Sequence, residues 1–224
     1  MIPKVFHQIW INPNSPALPE QFQVYRDGWL ALHPDWDYKL WNLDNLDFTP
    51  RRMDLIKTAS NYAQMADILR YEILLRNGGV YLDTDFECKR NIEPLLDGVK
   101  NFSCSEDGHY VSIGIMGAEP NSIYMERCLN ALPERVGLNY TSVETGPHMF
   151  TWVLLNYGLS NDFTLFPREY FYPYSWQDKH RANESFPQAF ALHRHAGSWS
   201  AAEHRLYTRV HRKIKRLFKL LKSA

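Results

Sequence analysis

An α/β fold with a mainly parallel central sheet is what this sequence predicts. It opens with a strand-helix-strand succession, it passes from a long helix through Gly78-Gly79 straight into an apolar strand, and 45% of its 224 residues are hydrophobic, enough to cover a sheet on both faces. Lys4 to Ile11 is a β-branched and aromatic run stopped by Asn12-Pro13-Asn14-Ser15-Pro16, hence a buried strand and a loop. Glu20 to Leu32 carries apolar residues at helical spacing (Phe22, Tyr25, Trp29, Leu32) and halts at His33-Pro34, and Tyr38 to Trp41 follows as a second strand. A helix is expected over Ser60 to Leu75, with Met65, Ile68, Leu69, Ile73 and Leu75 as its apolar side, closing at Asn77-Gly78-Gly79 before the strand Val80 to Leu82. Further on, short strands are expected at Phe102–Ser105 and Ser112–Gly117, helices at Ser122–Leu132 and Gly146–Tyr157, and an ordered aromatic loop over Pro167 to Pro187. No repeat or composition break divides the chain, so one domain over 1–203 and a separate tail over 204–224 are expected.

The charge total hides that tail. There are 25 Lys+Arg against 25 Asp+Glu, yet residues 204–224 hold eight bases and no acid, which leaves 17 bases against 25 acids in residues 1–203. From Leu206 the apolar residues fall on one helical face with most of the bases on the other, the pattern of a basic amphipathic helix suited to an anionic membrane surface. An acidic body argues against nucleic acid as a partner. The aromatic and aliphatic content excludes global disorder, and no run approaches the ~18 apolar residues of a membrane span. Without a charged leader and apolar segment at Met1 to Val5, and with only Cys88, Cys104 and Cys128, reduced thiols and a cytoplasmic location are expected, peripheral on a membrane through the tail.

The sharpest local feature is Gly78-Gly79-Val80-Tyr81-Leu82-Asp83-Thr84-Asp85. An apolar strand ends in carboxylates at i and i+2, which strand periodicity would aim to one side. Carboxylates so close repel unless a cation sits beside them, and a hard divalent ion such as Mn²⁺ or Mg²⁺ takes one or two of them plus substrate phosphates. The end of a sheet strand is also where open α/β folds bind ligands. One helix upstream, Asp67 and Arg70 share a face, either as an ordinary surface ion pair or as groups that accept from hydroxyls and donate to oxygen anions. Two competing functions are a glycoside hydrolase using paired carboxylates, which would need them about 5–10 Å apart across the scissile bond, and a non-catalytic membrane-surface binding protein.

Three segments in order, Ile2-Pro3-Lys4-Val5-Phe6-His7-Gln8-Ile9-Trp10, Ala66-Asp67-Ile68-Leu69-Arg70-Tyr71 and Gly78 to Asp85, resemble glycosyltransferase family 32, DXD-containing sugar transferases of the GT-A fold, and are similar in pattern to the glucosylating domains of clostridial toxins. The likeness continues through Thr145-Gly146-Pro147 to His193 and Ser198-Trp199, loosely over 95–140 and 160–190. It implies a Rossmann-like nucleotide-sugar-binding domain and metal-dependent, retaining transfer of a hexose from a UDP- or GDP-sugar to an acceptor hydroxyl, in polysaccharide, lipopolysaccharide or glycolipid synthesis. Ile9 and Trp10 would line the base pocket. Asp67 and Arg70 would hold the donor sugar or ribose. Asp83 would contact hydroxyls and help organise Mn²⁺ or Mg²⁺, Asp85 would ligate it, and Ser198 and Trp199 would reach the metal or diphosphate. His193 would complete the metal site, with His195 as its competitor for the ligand role and only one of the two expected to point inward. Many members carry Ala-Ser-Asp where this chain has Met65-Ala66-Asp67, which bears on nucleotide preference. The departing phosphate would take the acceptor's proton, so no separate base is required. Glu144 and Asp162 are later acids that could meet an acceptor.

Overall fold

The computed structural model describes residues 1–12, 15–106, 108–137 and 140–196. A six-stranded sheet has the order β2-β1-β3-β6-β5-β7, built from β1 (Val5–Ile9), β2 (Asp37–Trp41), β3 (Gly79–Leu82), β5 (Asn101–Cys104), β6 (Ile115–Ala118) and β7 (Phe163–Phe166). Only β6 runs against the others, so the sheet is mainly parallel, as the sequence predicts. A separate two-stranded ribbon pairs β4 (Phe86–Cys88) with β8 (Ala191–His193). Neither ribbon strand, nor the helix α2 (Met53–Thr58), stands out in the sequence, because each is short and lacks a full period of pattern.

Strand alternation divides the core. Phe6, Val80, Leu82, Ile115 and Phe102 point to one face with Trp29 of α1 (Glu20–Leu32). Tyr81, Met116 and Ala118 point to the other, under α3 (Tyr62–Asn77), α4 (Ile123–Arg135) and α6 (Pro147–Tyr157). The helix expected over Ser60 to Leu75 starts and ends two residues later, because Asn61 caps it by accepting from the Gln64 amide at 2.8 Å while Gln64 Oε1 accepts from the Ser60 amide at 2.7 Å. It has no polar side: Asp67 through Leu75 are all buried between the sheet and α4, so Asp67 and Arg70 are not a surface pair. At its end Gly78 and Gly79 both have positive φ, +63° and +91°, and a Cβ on Gly79 would lie 2.7 Å from Val5 Cγ1. The stretch expected to be an ordered aromatic loop buries Phe171, Tyr172 and Tyr174 between two 3-10 turns. All three cysteines are free and buried, and no described helix is long and apolar enough to cross a membrane. The amphipathic tail at 204–224 lies outside the described residues.

Chain order also fixes where a cleft opens. From β1 the chain moves to β2 on one side, and β3 comes in on the other, so the carboxyl ends of β1 and β3 diverge at a topological switch point. Tight packing defends the neighbouring strand: a Cβ on Gly117 of β6 would sit 2.2 Å from the Phe102 ring. Gly117→Ala should therefore cost about 1–3 kcal/mol in urea unfolding, and adding Phe102→Leu should recover part of it.

Candidate active site

The switch point opens into a cleft of about 980 Å³. Ile9 and Trp10, at the end of β1, line it together with Asp67, Arg70, Asp83, Asp85, His193 and His195. The Trp10 indole N–H donates to Ser15 O at 3.0 Å and its ring meets Phe22 edge-on at 5.7 Å, so the ring is fixed as a wall. The motif residues and the two late histidines are thus brought together, from positions up to 186 residues apart (Ile9 to His195).

Beneath the cleft lies a buried charge cluster. The Arg70 guanidinium sits 2.8 Å from Asp67 Oδ1 and 3.3 Å from Asp83 Oδ1, and donates to Ile113 O at 2.7 Å, with its side chain and that of Asp67 each only 3% exposed. Its plane lies 4.4 Å over the Tyr81 ring. Thr145 donates to the second Asp67 oxygen at 2.9 Å, and the Tyr81 hydroxyl donates to Asp83 Oδ1 at 2.7 Å. Burial raises the Asp67 pKa to about 6 against the pull of Arg70 and Thr145, so it is ionised at neutral pH. Burial disfavours the Arg70 charge, yet Tyr81, Asp83 and Asp67 raise its pKa above the ordinary arginine value.

Asp83 and Asp85 do converge, though not by strand alternation. β3 stops at Leu82 and the two acids lie on the tight turn into β4, closed by the Phe86 amide donating to Asp83 O at 3.2 Å. Only a glycine fits beside Asp83, since a Cβ on Gly114 would meet its Oδ2 at 2.8 Å. His193 Nε2 lies 3.1 Å from Asp85 Oδ1 and 3.9 Å from Asp83 Oδ2, and ligand-type atoms of all three residues fall within 4.8 Å of one another. Burial opposes the His193 charge, but Asp85 and then Asp83 push its pKa up to about 9. Burial also opposes the Asp85 charge, but His193 and the Ala196 amide, which donates at 2.8 Å, hold it at about 2. Asp83 is raised, by burial and then by Asp85, against the pull of Arg70.

His195 corrects the expectation that only one of the two histidines faces the cleft. β8 ends at His193, and His195 turns back through a left-handed φ of +47°, which puts its ring 4.3 Å from that of His193. Both imidazoles line the cleft, and burial and then the His193 charge lower the His195 pKa to about 3. The two later acids do not line it: Glu144 is buried and accepts from Gln64 at 2.6 Å, while Asp162 pairs with Lys100 at 2.9 Å on the surface. Ser198 and Trp199 lie outside the described residues. Sequence reasoning missed the roles of Thr145, Tyr81 and Gly114, and missed Glu106 and Lys179 on the cleft wall. Only the Thr145-Gly146-Pro147 run carried any signal for these.

Residues 19–101, which include this Arg70–Asp85 region, match the family described as glycosyltransferase sugar-binding region containing DXD motif. Over these residues the chain carries a glycosyltransferase sugar-binding region with its DXD motif. The chain is 26% identical over 216 residues to an uncharacterized glycosyltransferase of Acanthamoeba polyphaga mimivirus, covering 89% of this chain and 84% of the viral one. It is 32% identical over 138 residues to a mannosyl phosphorylinositol ceramide synthase of Saccharomyces cerevisiae, covering 59% of this chain but only 35% of the yeast enzyme's length. Among solved structures it is similar to the PaToxG glycosyltransferase, with a TM-score of 0.58 at 16% identity over 70% of each chain, a likeness of GT-A fold. These likenesses point to transfer rather than to glycoside hydrolysis or non-catalytic binding.

A proton on His193 is expected to contribute to stability at neutral pH. Its folded pKa of about 9 exceeds the ordinary 6.5, so its contribution is full below pH 6.5 and is lost as pH rises to about 9. Without divalent metal, denaturant midpoints should fall from pH 6.5 to 9, and His193→Gln should flatten that limb.

Proposed function

We propose that this glycosyltransferase moves a hexose from a UDP- or GDP-sugar to an acceptor hydroxyl on a glycan or glycolipid, with retention of configuration and with a divalent cation bound. The observation that carries the reading is the convergence of Asp83, Asp85 and His193 at the switch-point cleft. The donor set fits a cation. Two carboxylates and an imidazole lie within reach of one ion, and a proton on His193 now does the charge balancing that an ion would do. An imidazole beside hard oxygens favours Mn²⁺ over Mg²⁺, which prefers oxygen alone. When bound, the ion would neutralise charge developing on the leaving diphosphate.

The protein's own residues have separable tasks in this reading. Asp85 and His193 would hold the ion, with Asp83 contributing an oxygen and meeting ribose or sugar hydroxyls. Arg70 fixes Asp67 and Asp83 in position, so both can accept hydroxyl hydrogen bonds without a rearrangement during the reaction. Trp10 and Ile9 supply an apolar wall for the base. Ser198 and Trp199 are proposed to reach the diphosphate, the leaving phosphate accepts the acceptor's proton, and residues 1–203 form the catalytic domain.

The yeast relative is named for mannosyl transfer to a phosphorylinositol ceramide, which makes a mannosyl donor and a lipid-linked acceptor the first to try here. Three free, buried thiols suit the cytoplasm, the proposed location, and the bases of 204–224 are proposed to attract an anionic membrane.

A screen of UDP- and GDP-sugars should find one hydrolysed only with Mn²⁺ or Mg²⁺, and Asp85→Ala should lower that kcat/KM by about 100-fold or more. Full activity in Asp85→Ala refutes the assignment. Mn²⁺ binding at pH 7 should expel about one proton, from His193, read by calorimetry in buffers of different ionisation heat.

A further inference from the structure

Helix α6 starts in the cleft and ends in an unusual surface. Pro147 and His148 in its first turn line the cleft, and Met149, Phe150, Val153 and Leu154 bury its inner side. Its outer side and the turn beyond leave four large apolar residues in water: Trp152 is 37% exposed, Leu155 78%, Tyr157 51% and Leu159 54%. They form one patch. Leu155 lies three residues from Trp152 on the same helix face, the Trp152 and Tyr157 rings meet at 6.4 Å, and Leu159 follows directly on the C-cap Gly158.

Two cations from α4 lie against it. The Arg135 guanidinium stacks 4.5 Å over Trp152 and that of Arg127 lies 5.0 Å over Tyr157. Among the described residues neither enters an ion pair, and Arg135 Nε has no hydrogen-bond partner. The acids nearby are turned elsewhere: Glu126 pairs with Arg51 and Asp162 with Lys100, while Glu134 projects about 100° round α4 from Arg135.

We propose that this patch is a docking surface for an anionic lipid bilayer, distinct from the basic tail. Trp and Tyr favour the headgroup level, Leu enters the acyl boundary, and unpaired arginines fork onto lipid phosphates. Charge complementarity selects this occupant. A second copy meeting the patch across a two-fold axis would bring four arginines together, and residues 204–224, with eight bases and no acid, would be repelled by the two already present. Docking here has a geometric result. His148 and Leu155 are seven residues apart on one helix, about 10 Å along its axis at 1.5 Å per residue, so the α6 wall of the cleft would lie within about that distance of the docked patch, within reach of an acceptor that never leaves the membrane.

The full chain supplies the test, because its three cysteines are buried and leave an introduced thiol as the one to label. Leu155→Cys would carry an environment-sensitive fluorophore, and Val24→Cys, 63% exposed on α1 across the sheet, would be the control. Phosphatidylcholine vesicles with phosphatidylserine should blue-shift the probe at 155, leave that at 24 unchanged, and act far more weakly without phosphatidylserine. Arg127→Gln with Arg135→Gln should weaken binding about 30-fold, at ~1 kcal/mol per base; if that variant misfolds, the labelled proteins decide alone. Three results would overturn the proposal: vesicle binding with no change at 155, no vesicle binding at all, or a blue shift at 155 that needs only more protein and no lipid.

Discussion

Everything at the cleft rests on one buried cation. Arg70 is held against Asp67, Asp83 and the Ile113 carbonyl, so it ties a helix, the end of a sheet strand and a loop to a single point. Taking three charges out of water costs several kcal/mol per ion, and only dense mutual pairing offsets it. That explains why the surrounding groups are so specific. Thr145 occupies the free Asp67 oxygen, the Tyr81 hydroxyl occupies Asp83, and the Tyr81 ring lies under the guanidinium. Removing the Thr145 hydroxyl would leave the buried Asp67 Oδ2 without that donor. A cluster built this way contributes little net stability, but it fixes carboxylate positions far better than surface acids could.

The two histidines complete the electrostatic picture. They sit ring to ring, yet one retains its proton well above neutrality while the other refuses one down to strong acid. The difference comes from position: His193 faces the carboxylates, whereas burial and the His193 charge both act against a proton on His195. The cleft therefore carries one titratable positive charge, at His193, beside the crowded DXD carboxylates.

How far this was legible in the sequence follows from how local each signal is. The strand-helix-strand opening, the helix spacing of Glu20 to Leu32 and the Gly78-Gly79 stop all lie within a few residues, and all appear where expected. Asp83 and Asp85 were found for a partly wrong reason, since a turn rather than a pleat brings them together. Thr145 reaches Asp67 across 78 residues, and the ribbon joins Phe86 to His193 across more than a hundred, contacts that no window of sequence contains. The expectation for His195 failed because residues two apart on a strand share a side, so alternation never separated it from His193, and the strand in any case ends at His193.

The ribbon also divides the carboxylates between two mechanical parts. Asp83 directly follows a strand of the main sheet, whereas Asp85 directly precedes β4 and His193 ends β8 of the ribbon, which is fastened to α1 through the Trp29 N–H donating to Phe86 O at 2.9 Å. Thr84 separates the two in the chain, and the Phe86 N–H donating to Asp83 O at 3.2 Å spans it. Any change in how the ribbon sits on the sheet would alter the spacing of the two acids while leaving Asp85 and His193 together.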